Sequence, residues 1–179
     1  YAQVSLDINL KERTKAETQT KEQLQRLLRT FDISPWVYTK SILIDEKSTP
    51  HSHPVLTLHT RHLRDDELLL STLVHEQFHW FLAQKNEETQ QAISELRKLF
   101  PKVPGPPEGA VDENSTYLHL FVCYLEYRAD RTLLGELQAR QGMELCATDH
   151  YTWVYKTVLE RGRDIGNLMV MHNLIPAIR

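Results

Sequence analysis

The sequence predicts an α+β domain, mainly helical with a small sheet. Three observations carry that expectation. Apolar residues recur at helical spacing in five segments, two short strand-like runs lie between the first and second of these, and proline- or glycine-bearing stretches separate the parts. At 179 residues the chain has the length of a single domain, residues 1–179, and can bury a substantial core.

Taken in order, residues 9–31 read as a helix on the spacing of Leu10, Leu24, Leu27, Leu28 and Phe31, with Pro35 beyond its end. Ser41 to Asp45 is short and β-branched and reads as a strand. Pro50 to Pro54 is turn-like and carries His51 and His53; Val55 to Thr60 alternates and reads as a second strand. The acids Asp65, Asp66 and Glu67 then stand where a helix N-terminus favours negative charge, and an apolar helix follows to about Ala83. A further amphipathic helix covers about 88–100. Pro101 to Gly109 holds four prolines and two glycines and is the clearest loop, a candidate rim segment. A long helix is expected over about 115–140 with Gly142 as its stop, and a last one from about Asp149 that weakens between Gly162 and Gly166.

The composition is that of an ordinary globular protein, 41% hydrophobic and 25% charged. A net charge of -3 gives no general attraction to nucleic acid or anionic membranes. No apolar run approaches the ~20 residues of a membrane span. Cys123, inside the apolar run Leu118 to Leu125, reads as a buried free thiol, although pairing with Cys146 is open. Tyr1-Ala2-Gln3 fits the remnant of a cleaved secretory signal, which implies a secreted or periplasmic protein; an arbitrary chain boundary fits equally and leaves the cytoplasm.

The chemistry concentrates at His75-Glu76-Gln77-Phe78-His79, an HExxH pattern inside the apolar helix. Residues four apart lie on nearly the same helical face, so both imidazoles can bind one metal ion. Glu76 stands one position round. It can hold a metal-bound water, accept its proton and pass that proton to a leaving amine. Zinc would bring the pKa of such a water to about 7. Two histidines and a glutamate in a largely buried helix are costly unless something satisfies them, and a metal does.

A catalytic zinc needs a third protein ligand and an open position. Ala83 occupies the place where the short HExxHxxGxxH spacing would put a third histidine. Glu126, a glutamate in the middle of an apolar helix, is the leading candidate. Asp130, one turn on, is placed to accept a hydrogen bond from the outer nitrogen of a ligating histidine. His119, two turns before Glu126, is the rival: third ligand, substrate contact or core histidine.

These residues resemble the gluzincins, the thermolysin-like zinc metallopeptidases. That family pairs HExxH with a downstream helix reading Glu-x-x-small-Asp, which Glu126, Ala129 and Asp130 match. The resemblance covers roughly residues 41–130. It implies a zincin-like fold, in which the helix carrying HExxH packs against the helix carrying the third ligand, and a Zn2+ held by His75, His79 and Glu126. It also implies a cleft edged by the strand at 55–60. The chain departs from the family in its shortness and in having Leu125 where an asparagine often precedes the third ligand. Family members hold the tetrahedral oxyanion with a downstream histidine and tyrosine, which adds support for His150 and Tyr155; the competing reading makes Tyr151 and Tyr155 core aromatics and His150 an exposed first-turn residue.

The expected function is hydrolysis of peptide bonds in a peptide or protein substrate, with endopeptidase favoured over exopeptidase action. An inhibitor or prosegment is a further partner to expect, and residues 1–31 are the segment that would cover a cleft. The alternatives are a catalytically silent zinc-binding module used for regulation or partner binding, and a metal hydrolase acting on a non-peptide amide. His51, His53, His59 and His62 have no ligand spacing on one helical face and read mostly as surface residues, with the one on the strand a candidate to meet substrate, and His172 reads as structural.

Overall fold

The computed structural model describes residues 5–177; Tyr1-Ala2-Gln3, and with them the secretory-signal expectation, lie outside the described residues. The architecture is α+β, mainly helical with one three-stranded sheet. Residues up to Phe81 form one compact unit and Leu82–Ala177 a second.

The first unit holds β1 (Asp7–Leu10), α1 (Lys15–Thr30), β2 (Ser41–Ile44), β3 (Leu56–Leu58) and most of α2 (Asp66–Gln84). The sheet is wholly parallel in the order β1-β2-β3, with Ile8 beside Ile42, Ile42 beside Leu56 and Ile44 beside Leu58. The expected helix over 9–31 is therefore a strand followed by a helix. Leu10 falls by chance at helical phase with Leu24, but Thr14 and Glu17 form a capping box that starts α1 afresh. Glu17 is buried, and its carboxylate also accepts from the backbone N–H groups of Glu12 and Glu46. Residues 7–30 are thus an integral strand and helix of this unit.

Strand β3, expected over Val55 to Thr60, does not alternate as its sequence suggests. Leu56, Thr57 and Leu58 are all buried, as in parallel sheets covered on both faces. Thr57 is tolerated there because its hydroxyl donates to the Val55 carbonyl at 3.0 Å. The Asp65 carboxylate accepts from the Leu68 N–H at 3.0 Å and so caps α2, where the acidic run predicts a helix start. Among the described residues no helix is long and apolar enough to cross a membrane.

The second unit contains α3 (Asn86–Leu99), α4 (Glu113–Leu134), α5 (Glu136–Cys146) and α6 (Thr152–Met171). The long helix expected over 115–140 breaks at Gly135, whose φ of 90° is open to glycine and costly for other residues. Gly142, expected to stop that helix, lies inside α5. The weakening anticipated near Gly162 is a kink at Arg161, with φ -118° and ψ 17°. The proline-rich segment is irregular, and it is tied down: the Tyr117 hydroxyl donates to the Phe100 carbonyl at 2.5 Å, and the Trp153 N–H donates to the Glu108 carbonyl at 3.0 Å.

Candidate metal centre and its surroundings

In the first unit, α2 carries His75, Glu76 and His79. His75 and Glu76 are buried and His79 is half-buried. The two imidazole centroids lie 5.2 Å apart with their planes tilted by 59°. Gln77, inside the motif, is completely buried. Its side-chain oxygen accepts from the backbone N–H groups of Tyr38 and Thr39 at 2.8 and 2.9 Å, and its amide nitrogen donates to the Thr39 carbonyl at 2.8 Å. The motif helix is thereby fixed to the chain that enters β2. The sequence reading passed over Gln77; the signal was a lone amide on an otherwise apolar helical face, which needs partners when buried.

The residue after the motif has a matching role. Trp80 Nε1 donates to the Ser52 carbonyl at 2.7 Å, and the Trp80 ring stacks on His53 with centroids 4.2 Å apart. The turn that leads to β3 is thus anchored beside His79. His51 and His53 are exposed, as expected of turn histidines, but His59 is buried and sits edge-on to His62 at 4.6 Å. His59, the histidine at the end of the strand, departs from the surface reading of the group because β3 is covered on both faces and ends just before it. His172 stands at the C-terminus of α6, half-buried.

In the second unit, α4 presents His119, Cys123, Glu126 and Asp130 at spacings of four, three and four, so they form one stripe along the helix. All four are buried. His119 Nδ1 lies 2.7 Å from the Ser115 carbonyl, which only accepts, so Nδ1 carries the proton and Nε2 has the lone pair in the neutral ring. Its ring packs against Tyr151 at 4.3 Å. Cys123 and Cys146 are both free thiols.

Tyr155, on the first turn of α6, is 2% exposed, and its hydroxyl donates to Glu126 Oε2 at 3.3 Å. Burial, with Cys123 and Glu126 nearby, pushes the phenol well above its ordinary pKa, so the group stays protonated and acts as a donor. His150 differs from it. The imidazole precedes α6, its side chain is 52% exposed, and Nδ1 pairs with Asp149 Oδ2 at 2.8 Å. A carboxylate on Nδ1 turns the opposite nitrogen, Nε2, away from Asp149 and fixes the ring for donation or acceptance there.

No family model, curated protein or solved structure matches the chain.

Proposed function

We propose that the chain is a zinc-dependent peptidase with a zincin-like fold of gluzincin type, in which His75 and His79 of α2 and Glu126 of α4 hold the metal. One observation carries the reading. Two imidazoles on a single tetrahedral zinc, with Zn–N of about 2.0–2.1 Å, have ring centres about 5 Å apart, and the His75 and His79 rings stand at 5.2 Å, with the buried Glu76 next to His75 in the chain.

When bound, zinc supplies a Lewis acid and lowers the pKa of an attacking water towards about 7. The protein's own groups do the rest. Glu76 accepts the proton of the attacking water and delivers it to the nitrogen of the scissile bond, work that contributes typically about 10²–10⁴-fold. Asp130 is the residue assigned to the outer nitrogen of a ligating histidine. His150 is assigned to the developing oxyanion in preference to Tyr155, whose proton goes to Glu126. The substrate is a peptide or protein chain, and β3, whose outer edge at Thr57 is already bonded to His51, is the rim segment proposed to border the cleft.

A second reading has its own observation. Cys123 is buried one turn before Glu126 on the same stripe of α4, and a thiolate in the fourth position would close the coordination shell into a silent zinc module. Metal analysis tests the ligand set: one zinc per chain in the wild type and in Glu76→Ala, and its loss in His75→Ala, support a zinc held by the motif, which both readings share. In the Co2+ form, an intense thiolate charge-transfer band that vanishes in Cys123→Ser would replace that site with the closed module.

A further inference from the structure

Within the second unit, Tyr155 and Glu126 meet where the first turn of α6 packs against the middle of α4. The approach is set from both sides. Tyr151 takes a left-handed φ of 48° ahead of α6, and the Tyr155 N–H donates to the Tyr151 carbonyl at 3.0 Å. Further along, Gly166 leaves the space in which the Tyr124 ring sits, so the two helices run close. Tyr155 is therefore held by backbone and packing rather than by a mobile loop.

A phenol has one proton to donate. The other groups interacting with Tyr155 include the Cys123 and Cys146 thiols, which are weak acceptors, whereas Glu126 offers a carboxylate. The proton consequently goes to Glu126 Oε2, and both partners are enclosed, at 2% and 3% exposure. A group so enclosed and so committed has no donor left for a substrate oxygen.

We infer that Tyr155 is a positioning residue for Glu126: its hydroxyl, donated to Oε2, fixes the carboxylate in the orientation from which it ligates the metal. The inference rests on the metal site proposed above. It gives Tyr155 a role at the metal ligand instead of at the oxyanion. Removing the hydroxyl takes one hydrogen-bond partner from the Glu126 carboxylate and weakens zinc binding by about 10–100-fold, the usual cost of losing an outer partner of a ligand.

The experiment measures zinc affinity by competition with a chromogenic chelator for wild type, Tyr155→Phe, Glu126→Ala and the double variant, with the thermal unfolding of each apo protein alongside. The expected result is weaker zinc binding in Tyr155→Phe, whose apo protein still unfolds cooperatively, and no further loss when the substitution is added to Glu126→Ala, because the two residues act through one contact. Equal affinity in Tyr155→Phe and wild type, with reduced turnover alone, overturns the inference and returns Tyr155 to the oxyanion. Loss of affinity that persists undiminished in the Glu126→Ala background also overturns it. A wild-type protein that binds no zinc overturns the metal site itself, and this role with it.

Discussion

Gln77 and Thr39 are joined by two hydrogen bonds, amide nitrogen to carbonyl at 2.8 Å and backbone N–H to side-chain oxygen at 2.9 Å, and Gln77 also takes the Tyr38 N–H. A residue between the two motif histidines thus fastens α2 to the strand-entry segment. Gln77→Leu would take the protein partner from two part-buried donors and one part-buried acceptor, each worth up to about 1–3 kcal/mol. The urea midpoint should fall accordingly. An unchanged midpoint would mean that water or a local shift replaces all three bonds.

The two glycines near the kink of α6 should respond oppositely. A Cβ at Gly166 would stand 2.2 Å from the Tyr124 hydroxyl and 2.7 Å from Cζ, an overlap that requires the ring to move. Gly166→Ala should cost about 1–3 kcal/mol. At Gly162 the nearest atom is a Tyr124 carbon at 3.8 Å, ordinary contact, so Gly162→Ala should be neutral or stabilise by up to about 1 kcal/mol. Thermal midpoints of the two variants check the pair, and a tolerated Gly166→Ala would contradict the close α4–α6 approach.

Arg26, and Gln23 beside it, hydrogen-bond Asp66 and hold its carboxyl below the ordinary carboxylate range. A lowered folded-state pKa contributes stability that is present above the unfolded value, about 4, and is lost as pH falls through the folded value. Asp66→Asn should therefore lower the urea midpoint at neutral pH by a small amount, since the pair is partly exposed. The gap between variant and wild type should close in acid. A gap that is the same at every pH would assign the effect to packing.

How far the chain was legible from its sequence follows from which interactions are local. The helix that carries the HExxH spacing, its acidic start and the strand expected over 41–45 are all set within a few residues, and the structure has α2 and β2 there, β2 ending at Ile44. Strand β1 had a local signal, since Val4, Leu6, Ile8 and Leu10 alternate with polar residues at the strand period, but the phase of Leu10 with Leu24 outweighed both that alternation and the Thr14–Glu17 capping box. Gly135 was read through because a single glycine inside apolar periodicity is a weak stop, and only its positive φ reveals the break. The candidate centre was legible as residue types. The Tyr155–Glu126 bond spans twenty-nine positions and depends on how α6 lies on α4, which no local pattern encodes.

The third ligand separates two candidates on α4. Glu126→Ala should lose zinc while His119→Ala keeps it, read as metal content after dialysis against a weak chelator. Retained zinc in Glu126→Ala with loss in His119→Ala would transfer the ligand role to His119, whose Nδ1 is already bonded to the Ser115 carbonyl.

The central claim is a peptidase with Glu76 as its base, and digestion of an unbiased peptide pool, read by mass spectrometry, tests it most directly. Zinc-loaded wild type should cleave, and Glu76→Ala, still carrying zinc, should lose about 10²–10⁴-fold in rate. Cleavage by Glu76→Ala at the wild-type rate, or no cleavage by a wild type with zinc confirmed in place, would contradict the account.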